Sequence, residues 1–345
     1  MKLIKSKLLL QFIICFMLLF LTSCSEEEKL FTGGEGTENN PYIISSQRDL
    51  IDLSNEVNNG NQAIANSYFV QIADINLENH PWKPIGQYSY NPQNQYPFAG
   101  IYDGGGYLIK NLTISEEVDS ENINSIKNLS FGLFGYVSDN ENRSTELKNI
   151  NISEASIDVS INEGLYGSVG GLVGNISVSN VQNPKLSDIL VSNCTVTAAA
   201  IETNAIDTGF LVGNNNGIIK KCMSSGTYTI NPYDGGTQNI GGFVGWNSNT
   251  IVDSNSTSKI TIKPEFSSNL GGFVGLNGSS MNNEFNNATI EGCYSKVIFV
   301  FENKEDIENS SVGKFAGINT ANLTKNGISF KSNINISFEE IGDEY

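Results

Sequence analysis

Reaction chemistry needs particular side chains near one another, and this chain is sparing with them. Its 345 residues include one histidine, His80, two arginines, Arg48 and Arg143, and five cysteines, at 15, 24, 194, 222 and 293. A serine or cysteine nucleophile would need His80 as its base. In "ENHPWKPIG" that lone histidine, next to a proline, reads as a loop residue. A carbohydrate lyase would need a basic residue near a calcium-binding carboxylate, yet Arg48 falls on a predicted helix and Arg143 in the polar stretch "DNENRST". A glycosidase would need two carboxyls about 5–9.5 Å apart in a groove. Asp103 in "YDGGG" reads as a turn former, and Asp253 and Glu291 stand alone. The residues therefore read as non-enzymatic, with no cofactor and at most weak divalent-cation binding by carboxylates.

The cysteines invite a metal or disulfide reading. Intervals of 28 and 71 residues between Cys194, Cys222 and Cys293 lack the paired spacing of a zinc site. All three are expected at one place in a repeat, ending "VSNC", "IKKC" and "IEGC", where other copies hold Ile150 and Ser254. Neighbouring parallel side chains point the same way, which disfavours the disulfide torsion near about 90°. A buried thiol ladder is the expectation, because free cysteine packs as a small hydrophobe.

Glycine clusters are the other feature that could hold a ligand. "GGFVGWN" at 241–247 is followed by "GGFVGLN" at 271–277. A dinucleotide or phosphate site needs its glycines between a strand and a helix. Here a strand-like segment follows each cluster, and the cluster recurs as "FGLFGYV" (131–137), "GGLVGNI" (170–176), "TGFLVGNN" (208–215) and "GKFAGIN" (313–319). The anchoring glycines are Gly135, Gly174, Gly213, Gly245, Gly275 and Gly317, at intervals of 39, 39, 32, 30 and 42. Such a repeat is architecture rather than a cofactor loop.

The elements that carry these residues are mostly strands. From about residue 68 onward, short β-branched runs alternate with Gly, Asn and Asp turns. Two or three strands per repeat predict a β-solenoid, whose coils stack about 4.8 Å apart because one coil alone cannot bury its inward face. Glycines then provide positive φ or close approach between coils. Phe243 and Val244, like Leu172 and Val173 or Phe273 and Val274, are expected to alternate between the interior and the outer face or a neighbouring segment. Before the repeats, "SSQRDLIDLSNEV" at 45–57 places Leu50, Ile51, Leu53 and Val57 at helical spacing behind a serine N-cap, which predicts a short helix covering the open end of the stack.

The amino terminus reads as a signal peptide over 1–23. Lys2, Lys5 and Lys7 precede the apolar run "LLLQFIICFMLLFL", too short to cross a bilayer comfortably. The run ends in "LTSC" (21–24), which resembles a bacterial lipobox and implies acylation of Cys24 as the membrane anchor. "SEEEK" after it resembles an acidic surface-export tag. Removing 1–23 takes three lysines and no acid, so the net charge goes from −17 to −20. That excludes binding to a phosphate backbone, hence no nucleic acid as partner. An acidic and Gly/Asn-rich tether is expected at 24–40 and the solenoid domain at 41–345.

The repeated "GGFVGxN" resembles the GLUG motif of bacterial surface proteins, including Bacteroidetes lipoproteins, and "PFAGIYDGGGYLIKNLTI" (97–114) resembles the segment preceding it there. The resemblance implies an all-β, right-handed parallel β-helix on the outer membrane, exposed at the cell surface, and it implies no reaction. Binding of a host glycan or protein, through adhesion, is the function expected of such a rod. A structural spacer and a polysaccharide-cleaving β-helix are the alternatives. Tyr233, Trp246 and Tyr294 are the candidate exposed aromatics, and insertions at 115–130, 176–187 and 277–288 the candidate recognition loops.

Overall fold

Each repeat becomes four short strands joined by corners. The computed structural model describes residues 29–78, 80–118, 128–161, 165–178, 183–200, 205–230, 237–262, 268–278, 288–301, 311–313, 315–321 and 335–338. Cys24, the signal peptide and Tyr233 lie outside these residues, as do most of the insertions at 115–130 and 277–288 and part of that at 176–187. One repeat shows the plan: an entry strand Thr237–Gly241, an exit strand Val244–Asn247, a short strand Thr250–Val252 and a long strand Asn255–Ile262. Each pairs in parallel with its counterpart one coil on: Gly241 with Gly271, Val244 with Val274, Ile251 with Ile290, Asn255 with Tyr294. The result is an entry ladder and an exit ladder of six strands each, a short ladder of eight and a long ladder of ten. This is a parallel β-solenoid.

The glycines of "GGFVG" make the turn from entry to exit strand possible. A Cβ on Gly241 would lie 1.9 Å from the Val244 carbonyl oxygen, and one on Gly245 would lie 2.4 Å from the Thr208 amide nitrogen and 2.7 Å from the Asp207 carbonyl carbon. The two strands fold back so closely that backbone touches backbone. Neither glycine has positive φ, so of the two roles expected for them, close approach is the one they fill. Phe243 and Val244 do not alternate as expected: both are fully buried. Phe243 sits in the corner, where the two-residue period of a strand is broken, and both side chains turn inward. Its ring stacks on Phe273 (4.5 Å, 11°), which stacks on Phe315 (4.7 Å, 17°).

Polar ladders tie the coils together where the core would otherwise strand backbone groups. The motif-ending asparagines Asn215, Asn247 and Asn277 are buried, and each amide donates to the next coil: Asn215 to Asn247 (2.7 Å), Asn247 to Asn277 (2.8 Å), Asn277 to Asn319 (2.9 Å). Asn215 Oδ1 also accepts from the Gly217 amide (3.0 Å), so the side chain satisfies the corner after its strand. Across the core, Ser224 and Ser256 donate to the Gly242 carbonyl (2.9 and 2.5 Å) and Ser295 to that of Gly272 (2.6 Å). These hydroxyls satisfy carbonyls that the tight corner removes from water.

The turn between short and long strands has its own column of left-handed residues: Asn149 (φ 53°), Asp188 (55°), Lys221 (53°), Asp253 (51°) and Gly292 (63°). Asn, Asp and Gly tolerate this region best. The residue that follows points inward, and the strand register places Ile150, Ile189, Cys222, Ser254 and Cys293 in one column. This corrects one expectation: Cys194 is not in that column but pairs with Gly226, after an irregularity in its long strand between Val191 and Cys194. The likeness of "VSNC" to "IKKC" rests on the terminal cysteine, whereas "LSDI" ending at Ile189 is the true counterpart. The three thiols are buried and unbridged. Cys222 and Cys293 are separated by the coil of Ser254, about 9–10 Å, beyond the reach of a disulfide.

At the amino-terminal end, helix α1 (Gln47–Asn58) matches the predicted segment. Ser46 accepts from the Asp49 amide (3.2 Å), and Leu50, Leu53 and Val57 join the core alongside Ile44 and Phe69. A second, one-turn helix α2 (Gln62–Ala65) follows. The folded part begins earlier than residue 41: Phe31 is buried against Tyr42 (4.7 Å between ring centroids), and the Thr32 amide donates to Asp49 (2.9 Å). Burial works to raise the Asp49 carboxyl, but hydrogen bonds from Ser45, Ser46 and Thr32 outweigh it and hold the group below its ordinary value.

Candidate functional site

Register brings an aromatic and amide row to the side of the arch formed by entry and exit strands. On the entry ladder, Ser168, Asp207, Asn239 and Asn269 are aligned. On the exit ladder, Tyr136, Asn175, Asn214, Trp246 and Leu276 are aligned. Coils about 4.8 Å apart thus present rings and amides in rows parallel to the solenoid axis.

Asp207 knits the two rows together. Its Oδ1 accepts from Asn239 Nδ2 (2.7 Å) and its Oδ2 from Asn214 Nδ2 (3.1 Å) and from the Tyr166 hydroxyl. Asn239 in turn accepts at Oδ1 from Asn269 (2.7 Å). Burial pushes the Asp207 carboxyl up to about 8, against the lowering effect of the Asn239 and Asn214 hydrogen bonds. The group is therefore largely protonated at neutral pH. Because it is fully enclosed, it holds its neighbours in place and touches nothing outside.

The rings it holds are partly open to solvent. Tyr166 meets Trp246 edge-on (6.4 Å, 71°), and its amide donates to the hydroxyl of Tyr90 (2.6 Å), a ring that is 39% exposed. Trp246 Nε1 donates to the Gly278 carbonyl (2.6 Å). Polar edges are thus satisfied internally while ring surface remains half-buried or exposed. Aromatic faces fixed in this way suit stacking on an apolar ligand face, such as that of a sugar ring, with little ordering cost.

Other residues singled out in the sequence lie elsewhere. Tyr294 is 40% exposed on the long ladder, away from this row. Asp103 accepts from the Gly105 amide and from Asn149 Nδ2 (both 2.9 Å), as a turn former should. Asp253 and Glu291 are exposed on neighbouring coils, where the Asp253 amide donates to the Glu291 carbonyl (2.9 Å). Arg48 pairs with Asp52 on helix α1 (3.4 Å). The His80 amide closes a turn onto Leu77 (3.2 Å). Among the described residues, no three His, Cys, Asp or Glu gather as a metal site would require. The buried thiols of Cys194 and Cys222 are pushed up to about 12, and that of Cys293 to about 11, by burial, which leaves them unreactive. The sequence pattern singles out Trp246 but misses Tyr90, Tyr166 and Asp207. The one signal available is the polar residue two places before each motif's first glycine, Asp207, Asn239 and Asn269, standing where a core strand would be apolar.

Comparison with known proteins assigns no activity. No protein-family model matches the chain. A protein of Evansella cellulosilytica, provisionally named a Gly-rich membrane protein, is 30% identical over 155 residues, or 43% of this chain; the chain spans 15% of that protein's length. A solved structure from Bacteroides ovatus, provisionally assigned as an immunoglobulin A1 protease, aligns over 85% of each chain with a TM-score of 0.49 and 16% identity.

Proposed function

We propose that this protein is a surface lipoprotein of the GLUG-motif type, anchored through a lipid on Cys24 and facing outward, whose solenoid binds a glycan without cleaving it. The observation that carries the reading is the fixed row of Tyr90, Tyr166 and Trp246 with Asn214 and Asn239 beside it. The rings can stack on sugar faces, and Asn214, half-buried beside them with its Nδ2 held by the network, has its amide oxygen to accept from a sugar hydroxyl. The lipobox, the acidic segment after it and the net charge of −17 support a tethered, solvated rod rather than one bound to nucleic acid.

Two measurements test this. In cells, the full chain fractionates with membranes, and Cys24→Ser releases it to the soluble fraction; retention of the variant by membranes contradicts the anchor. In vitro, residues 25–345 are screened on a glycan array that is read for both bound and cleaved material. Saturable binding that Trp246→Ala weakens at least about 30-fold, the loss of a stacking hot spot of about 2 kcal/mol, is the expected result. Far-ultraviolet circular dichroism of the variant should match that of the parent. Binding that survives the substitution removes the row from the function. Turnover replaces the reading with an enzyme, and silence on the array favours a spacer.

A further inference from the structure

A cleft lies at the amino-terminal end of the rod, built by residues that the aromatic row does not use. The cleft, of about 550 Å³, is lined by Gln62 and Asn66 at helix α2, by Pro97 and Ala99, and by the loop Asp139, Asn140, Glu141, Asn142 and Arg143. Its volume falls within the range of small-molecule sites, about 300–1,000 Å³.

The walls are fixed before any ligand arrives. Asn140 Oδ1 accepts from the amides of Asn142 and Arg143 (both 2.9 Å), and its Nδ2 donates to the Ala99 carbonyl (3.1 Å) and to Asn66 Oδ1 (3.3 Å). The Arg143 guanidinium lies 4.2 Å from the centroid of the Tyr68 ring and donates to the Asn66 carbonyl. Arg143 is thus occupied in joining the loop to the strand beneath it. Glu141 and Asn142 at the tip of the loop are exposed. Asn66 and Asn140 spend their amides inside the wall and Asp139 is buried, so the polar groups the lining turns outward are those of Gln62, Glu141 and Asn142. The amides of Gln62 and Asn142 present donors and acceptors that match adjacent hydroxyls, while the exposed carboxyl of Glu141 at the loop tip repels an acid.

We propose that this cleft binds the end of a polyhydroxylated chain and discriminates by charge, accepting amine-bearing sugars best and rejecting uronic acids. The site is independent of the aromatic row. The test titrates residues 25–345 with three probes by calorimetry: a glucosamine hexamer, its N-acetylated form and a polygalacturonate hexamer. The glucosamine hexamer should saturate at one site with a dissociation constant of about 1 mM or tighter. It should bind at least about ten-fold more tightly than the polygalacturonate, and the preference should shrink as salt is raised. Glu141→Gln should reduce that preference about five-fold or more, Asn142→Ala should weaken both glucosamine probes, and Trp246→Ala should change neither result. Both loop positions are exposed, so folding should survive the substitutions. Failure of the glucosamine hexamer to bind, equal affinity for the polygalacturonate, or sensitivity to Trp246 in place of Glu141 and Asn142 would each overturn the assignment. The last outcome would move the sugar to the aromatic row and leave that proposal standing.

Discussion

Gly245→Ala is expected to lower the stability of the solenoid by about 3 kcal/mol or more, at the upper end of what overpacking costs. The new methyl would meet the Thr208 amide nitrogen at 2.4 Å, the Asp207 carbonyl carbon at 2.7 Å and the Gly213 carbonyl oxygen at 2.7 Å. All three are backbone atoms of strands held in ladders on both sides, so none can yield without breaking parallel hydrogen bonds. Gly106→Ala is the control: nothing lies within 4 Å of where its methyl would sit, and the cost there comes from φ of +77°, about 1–2 kcal/mol. Urea unfolding of residues 25–345 separates the two. Equal losses at both positions would mean that the arch is not packed backbone to backbone. Because coils are coupled to their neighbours, the Gly245 variant should also broaden the transition if the rod unfolds in sections.

The second large effect concerns Asp207 and pH. Its carboxyl titrates at about 8 in the folded protein and at about 3.9 when unfolded. Between these values the folded state holds a proton that the unfolded state has released. Stability therefore falls as pH rises through that window, by up to about 1.4 kcal/mol for each pH step of one, and levels off above it. Asp207→Asn removes this slope. Asn214 and the Tyr166 hydroxyl can reverse their hydrogen bonds to suit an amide, so the network should survive. Near pH 5 the variant should match the parent within about 1 kcal/mol, and near pH 8.5 it should be more stable by several kcal/mol, because the slope accumulates across most of the window. Asp49 acts in the opposite sense: its depressed carboxyl adds stability that is present above the unfolded value and lost as pH falls through the folded one. Parallel pH profiles for parent and Asp207→Asn would show that the carboxyl is not enclosed in the folded protein.

Much of the architecture was legible because a solenoid repeats its requirements. Every coil needs glycines where entry and exit strands touch, so the same "GGFVG" recurs and its spacing reports the coil length. Helix α1 was legible for a local reason, an N-cap serine ahead of apolar residues at helical spacing. Register was harder. Matching motif ends aligns Cys194 with Cys222, and only the pairing of Leu190 with Met223 shows that Ile189 takes that place. The candidate site was hardest, because Asp207 gains its meaning from Tyr166 and Asn239 on the coils to either side and from Asn214 on the exit ladder of its own coil.

By itself the sequence determined the class of fold and the positions of the coils, since each depends on a local pattern or on identical residues recurring. The tertiary structure alone decided which glycine role applies, which polar residues are buried, and which rings and amides share a surface. The physical reason is that those properties arise between coils. Strands some thirty to forty residues apart in the chain lie about 4.8 Å apart in space, and the environment of a side chain such as Asp207 is set by that neighbour rather than by the residues on either side of it.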